Sequence, residues 1–233
     1  ILLDNKGTLD KYIGDAIVAF YGAPAPVDDH EYWACITAIK MQESLDELRK
    51  KWQGQGDRWP EIVHHMQNRI GINSGQMVTG NMGSTMRMNY TMMGDTVNLA
   101  ARLEASAKQY GIYIQVADET YKACKDKFIW RDLDYVIVMG KSEPAQVFEL
   151  IAEKGKMPKG YDKLLDAYHE ALVLYRNQEW KKAIEAFKAS DKLEDMFPGR
   201  KTNPSRVYMP RCEHYQDNPP GDNWDGSWAL TKK

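Results

Sequence analysis

A seven-residue stretch, Lys154-Gly-Lys-Met-Pro-Lys-Gly160, constrains this chain more than any other feature, because apolar residues follow different rules on its two sides. Polar and punctuated by two glycines and a proline, it reads as a linker. Before it, short strand-like runs interleave with helix-period runs, the pattern of an α+β domain. After it, Tyr161, Leu164, Leu165, Tyr168, Leu172 and Tyr175 share one helix face, Asn177-Gln178 turns, and Trp180, Ala183, Ile184 and Phe187 share another. The expected organisation is a mixed domain over residues 1–152, a linker over 153–160, and a small α-helical hairpin extension with an irregular tail over 161–233.

Within the mixed region, Tyr12–Ile13 and Ala16–Tyr21 are expected to form two strands joined at Gly14–Asp15. Asp28–Asp29 reads as the cap of a long amphipathic helix through Trp33, Ile36, Ile39, Leu45 and Leu48 to Trp52, followed by a loop over Gln53–Asp57. The glycine-rich run Arg69–Gly80 predicts a hairpin whose second arm ends at Gly83. Asp95 is the expected N-cap of a helix over 96–109, closed by Gly111. A strand at Ile112–Val116, a short helix at Glu119–Cys124, a strand pair across Trp130–Val138 and a last strand at Ala145–Ile151 complete the expectation.

Charge and composition exclude several classes. Lys and Arg number 31 against 33 Asp and Glu, so the broad basic surface that nucleic acid requires is not expected, and no nucleic-acid partner is assigned. Apolar residues make up 43% of the chain, enough for a core and too many for a disordered segment. The apolar run Ala16–Val27 is 12 residues with two prolines and a glycine, against the ~20 apolar residues of a membrane span. The chain starts at Ile1 without a basic-then-apolar leader and is read as cut from a longer protein with something upstream. Cys35, Cys124 and Cys212 are odd in number, far apart and without CxxC spacing, which argues against a disulfide framework or zinc site and for a reducing, cytoplasmic compartment.

Residue patterns alone leave the chemistry open. Asn98 and Arg102, four apart on a helix, project from one face while Leu99, Leu103 and Ala107 line another; taken alone, the pair is an ordinary solvated stripe. Gly14–Asp15 alone is an ordinary Asp-bearing turn. The glycines at 71, 75, 80 and 83 do not make a phosphate loop, since Gly80 is followed by Asn81–Met82 rather than Lys-Ser/Thr. His64–His65 have no acid at metal-ligand spacing, and Met82, Met86, Met88, Met92 and Met93 read as packing residues of a core or interface.

Taken in order, three segments are more specific: Leu9-Asp-Lys-Tyr-Ile-Gly-Asp-Ala-Ile-Val-Ala-Phe-Tyr-Gly-Ala-Pro24, Arg69-Ile-Gly-Ile-Asn-Ser-Gly75, and Tyr90-Thr-Met-Met-Gly-Asp-Thr-Val-Asn-Leu-Ala-Ala-Arg-Leu-Glu104. Together they resemble the class III nucleotide cyclase catalytic domain, from about Thr8 to Leu150, and Gly140-Lys-Ser-Glu-Pro-Ala-Gln-Val-Phe-Glu-Leu150 is similar to that family's final strands. The resemblance implies a ferredoxin-like α+β domain, here lacking its first strand, that works as a head-to-tail homodimer with sites built from both partners.

It also implies residue roles. Asp15 matches one of two metal-binding aspartates, for two Mg²⁺ or Mn²⁺ ions that activate the ribose 3′-hydroxyl and neutralise the triphosphate; the other aspartate is expected upstream of Ile1. Lys11 and Thr91 match the purine-reading positions, so ATP is the implied substrate, with 3′,5′-cyclic AMP and pyrophosphate as products. Asn98 matches the ribose-positioning residue and Arg102 the residue that stabilises charge on the α-phosphate. At Met139-Gly-Lys141 many members have Lys-Gly-Lys, so Lys141 is a candidate triphosphate contact in place of the absent lysine.

Trp180, Ala183, Phe187 and Pro198 are placed like the packing residues of half a tetratricopeptide repeat, one unit being too short for a solenoid. Such an extension resembles that of bacterial cyclases with an N-terminal sensor and membrane anchor, so any membrane attachment is expected only upstream, with the catalytic region cytoplasmic. The extension is expected to pack on its own or a partner's catalytic domain. Two other readings stand beside adenylate cyclase: a catalytically inactive regulatory or dimerisation module, and a helical scaffold centred on the tail. The chain as cut is expected to be weak or inactive itself.

Overall fold

The computed structural model describes residues 1–136, 145–194 and 200–228. Strands β1 (Thr8–Ile13) and β2 (Ala16–Phe20) form an antiparallel pair, and Gly14 at their turn adopts a φ of 62°, which a residue with a side chain takes rarely. Helix α1 (His30–Gly54) follows, then the short α2 (Glu61–His64) and β3 (Ile70–Ile72). A second hairpin, β4 (Val78–Ser84) and β5 (Arg87–Met93), leads into α3 (Asp95–Tyr110). β6 (Ile114–Ala117), α4 (Asp118–Cys124), β7 (Phe128–Val136) and β8 (Ala145–Glu153) complete the mixed region. Beyond it lie α5 (Tyr161–Arg176), α6 (Trp180–Asp191) and α7 (Pro204–Asp217).

The α+β class holds, with the described strands in three sheets. The central one runs β3-β6-β8-β7, parallel at β3/β6 and antiparallel elsewhere, while β1-β2 and β4-β5 are separate two-stranded ribbons. Alternation along β6 divides the core: Ile114 and Val116 join Cys35, Ile36, Ala38, Cys124 and Leu150 under α1 and α4. On the opposite face Ala117 joins Leu99, Leu103, Ala107, Leu133 and Val147 under α3, where Gln115 also meets Ser106. Among the described residues no helix is long and apolar enough to cross a membrane.

Several sequence expectations need correction. The run Arg69–Gly80 is not a hairpin: β3 pairs with β6, Ile70 lying opposite Ile114 far along the chain, and the hairpin is β4–β5. Local glycine alternation cannot reveal a partner that the chain reaches only through α3. A single strand, β7, stands where a strand pair across Trp130–Val138 is expected, paired with β8 through two register shifts that blur its alternation. The helix α1 continues to Gly54, and Gly56–Arg58 forms one 3₁₀ turn where a loop over 53–57 is expected. Neither proposed aspartate cap makes a capping bond: Asp29 at the α1 N-cap binds Lys127 at 3.1 Å instead, and Gly94, not Asp95, is the N-cap of α3. Asp95 sits in the first turn, where an acid favours the helix dipole.

The irregular tail is also corrected, since α7 is a full helix. Asn203 caps it through a bond from the Arg206 amide at 3.1 Å, and Pro204 enters the first turn, where no N–H is needed. The extension is joined to the mixed domain through buried charge. Arg131 on β7, its side chain 1% exposed, binds Glu149 at 2.6 Å and also Glu194, which Arg200 reaches at 3.0 Å. Asp134 accepts from Tyr110 of α3 and Arg211 of α7, both at 2.6 Å, and the Tyr208 hydroxyl donates to the Leu133 carbonyl. The extension thus packs on its own mixed domain, as one of the expected alternatives held.

Candidate active site

The hairpin β1–β2 presents Asp15 at its turn, exposed to solvent. Along β1, Leu9 pairs with Ala19 and Lys11 with Val18, so Asp10 is an extra residue in a β-bulge. In a regular strand Asp10 and Lys11 would point to opposite faces; across the bulge both side chains reach Thr91 on β5. The Lys11 ammonium donates to Thr91 Oγ1 at 3.2 Å, and the Thr91 hydroxyl donates to Asp10 Oδ2 at 2.8 Å. Lys11 and Asp10 are 3.4 Å apart, with the lysine 46% and the aspartate 3% exposed, so the cation opens outward while the carboxylate is enclosed.

Helix α3 carries the second group. Its buried stripe, Leu99, Leu103, Ala107 and Tyr110, packs on the sheet, leaving Asn98 and Arg102 one turn apart on the exposed side. Gly71 fixes the approach of this helix: a Cβ there would stand 2.1 Å from the Ala100 carbonyl and 2.4 Å from the Glu104 amide. The preceding loop is tied to the helix start, since the Asn73 amide donates to the Thr96 carbonyl and the Thr96 hydroxyl to the Gln76 carbonyl, each at 3.0 Å.

The structure therefore brings Lys11 and Thr91 together and stacks Asn98 with Arg102. No hydrogen bond or ion pair among the described residues joins Asp15 to Asn98. Lys141 and Met139 lie outside the described residues. Asp10 was not singled out from the sequence as a site residue; the signal available was its position beside Lys11, but the bulge that turns it toward Thr91 has no sequence signature here.

The ribbons around these groups are apolar on the outside. Tyr12, Ile13 and Ile17 on the first, and Val78, Met86, Met88 and Met93 on the second, are all more than half exposed. Among the described residues no three His, Cys, Asp or Glu side chains converge as a metal cage. Asp15 supplies one hard oxygen donor, which fits an ion that shares its coordination with substrate phosphates rather than one enclosed by protein.

A profile described as the adenylate and guanylate cyclase catalytic domain matches residues 4–151. The terminal-differentiation-specific adenylate cyclase of Dictyostelium discoideum is 32% identical over 218 residues, 91% of this chain and 10% of that protein. That match is long enough to run through the helices beyond Glu153. The chain spans 10% to 28% of the length of the first curated relatives it matches. Among solved structures, the adenylyl cyclase CyaB from P. aeruginosa aligns with a TM-score of 0.56 at 32% identity, covering 67% of this chain and 77% of that one. The guanylyl cyclase Cya2 aligns at 0.55 and 28%, covering 66% and 75%. Both substrate classes share the fold, so selectivity has to be argued from side chains.

Proposed function

The chain belongs to the adenylate and guanylate cyclase catalytic domain family, and on that premise we propose that it is an adenylate cyclase, converting ATP to 3′,5′-cyclic AMP and pyrophosphate. The observation that carries the choice of ATP is the contact between Lys11 and Thr91, 80 residues apart and 3.2 Å from one another. An ammonium that can only donate stands beside a hydroxyl, and adenine offers a matching ring acceptor and amino donor. Asn98 holds the ribose and Arg102 faces the α-phosphate, where its fixed fork of donors stabilises the charge that develops in the transition state. Lys141 is assigned to the triphosphate.

Asp15 would hold Mg²⁺ or Mn²⁺, two ions per site in this reading. When bound, such ions lower the pKa of the attacking hydroxyl and neutralise phosphate charge. The chain's own part is to orient base, ribose and phosphates so that the 3′-oxygen lies in line with the α-phosphorus.

The exposed apolar side chains of the two ribbons support a head-to-tail homodimer, in which Asp15 of one copy faces Asn98 and Arg102 of the other. We place this region in the cytoplasm, where ATP and reduced cysteines coexist; Cys35, Cys124 and Cys212 are all free thiols.

The test is product formation from ATP and from GTP by the full-length protein and by its double variant Lys11→Glu, Thr91→Cys. Cyclic AMP from the wild type, and an eroded preference for ATP in the variant, uphold the reading. Unchanged selectivity sinks the two purine assignments. A folded dimer making no cyclic nucleotide points instead to a regulatory module.

A further inference from the structure

We infer that Asp10 sets the purine selectivity of this site by fixing the direction of the Thr91 hydroxyl. The inference rests on reading Lys11 and Thr91 as the purine-facing pair. It adds a residue to which neither the sequence motifs nor the comparisons give a role.

The argument is one of proton count. An ionised carboxylate can only accept, a lysine ammonium can only donate, and a threonine hydroxyl has one proton and two lone pairs. The Thr91 proton is committed to Asp10 Oδ2 at 2.8 Å, and one lone pair is committed to Lys11 at 3.2 Å. What remains to offer a base is a lone pair on Thr91 and the spare donors of Lys11. Adenine presents an amino donor at C6 where guanine presents a carbonyl acceptor. The amino group meets the lone pair favourably; the carbonyl meets it oxygen to oxygen, leaving two acceptors unpaired against each other.

Without Asp10 the hydroxyl would be free to rotate and donate to a guanine carbonyl, and the discrimination would fall. The geometry is specific to this purpose. Asp10 is 3% exposed, is delivered by a bulge in β1, and leaves its Oδ1 buried without a hydrogen-bond partner. Burying a carboxylate oxygen unpaired is costly, and balancing the charge of Lys11 does not require the Thr91 bond. Asp10 is thus a positioning residue acting through Thr91.

The experiment measures binding of 3′-deoxy-ATP and 3′-deoxy-GTP, which lack the attacking hydroxyl, by calorimetry with Ca²⁺. Wild type, Asp10→Ala, Asp10→Glu and Thr91→Val are compared. We expect the wild type to favour the adenine nucleotide, Asp10→Ala to lose about tenfold of that preference, chiefly by gaining guanine affinity, and Asp10→Glu to retain most of it. Thr91→Val, which lacks the hydroxyl, should lose the preference as Asp10→Ala does, and it decides the matter if Asp10→Ala does not fold. Equal weakening of both nucleotides, as loss of charge balance alone would give, overturns the inference. So does a wild type that binds neither nucleotide or both alike, or a Thr91→Val that keeps the full preference. Turnover is scored separately, in the full-length protein: a wild type that selects adenine through Asp10 but forms no cyclic AMP there sinks the cyclase reading and upholds Asp10.

Discussion

The junction of β7 with the helical extension and the two ribbons that carry Asp15 and Thr91 are built on opposite plans. At the junction, charges are buried and paired: Arg131 with Glu149 and Glu194, Arg211 with Asp134. Around them Tyr168, Tyr175, Phe187 and Tyr208 are nearly inaccessible, with Phe187 and Tyr208 stacked at 5.1 Å. The ribbons instead expose large apolar side chains, and among the described strands their backbone ladders run only within each pair. The difference teaches where each kind of free energy resides. The junction is complete within one copy, whereas the ribbons leave apolar surface uncovered, the surface that our proposal gives to a second copy.

Alkali should break the junction first and by the largest margin. Burial pushes the phenols of Tyr110, Tyr168, Tyr175 and Tyr208 well above their ordinary range. Below the unfolded pKa of about 10 both states keep the proton and nothing is lost; above it the unfolded chain ionises while the folded one does not. Stability therefore falls as pH rises past 10, by up to about 1.4 kcal/mol per tyrosine per pH unit. Denaturant midpoints at pH 8, 10 and 11 measure this, and a flat profile would show that these phenols are not enclosed.

Removing one charge tests the same region at neutral pH. Arg131→Met leaves Glu149 and Glu194 facing each other in a buried site and should cost about 3–5 kcal/mol of unfolding free energy, read as a lower denaturant midpoint. Arg102→Ala, on the exposed face of α3, should leave that midpoint near the wild type while turnover falls about 10²–10³-fold. The two variants together separate the plans: one reads out in stability, the other in rate. Ile17→Lys has the smallest expected effect, a roughly tenfold weaker dimer by sedimentation with an unchanged monomer fold, because a cation is placed on the apolar ribbon.

Legibility from sequence followed the range of the interactions. The hairpin at Gly14–Asp15, the α3 stripe and its closure at Gly111, and the first two helices of the extension, α5 and α6, were readable, because turn chemistry and period-3.6 patterning are local. The partner of β3 was not, since its pairing with β6 depends on packing Gly71 against α3. Nor was α7, whose prolines read as breakers until Asn203 and Pro204 are seen as its start. At the candidate site, the residue types of Lys11, Thr91, Asn98 and Arg102 were visible through resemblance, and their pairing required coordinates. Asp10 was hidden for a physical reason: a bulge changes which way a residue points without changing its type.

The most direct measurement is complementation between two inactive variants. Full-length Asp15→Ala and Arg102→Ala proteins are purified, assayed separately with ATP and Mn²⁺, then mixed in equal amounts and assayed again. If each site takes Asp15 from one copy and Arg102 from the other, both variants alone are nearly silent. The mixture then recovers about a quarter of wild-type cyclic AMP formation, since half the dimers are mixed and each holds one intact site. A mixture no more active than its components, beside an active wild type, would contradict the shared site, and a silent full-length wild type would contradict the cyclase itself.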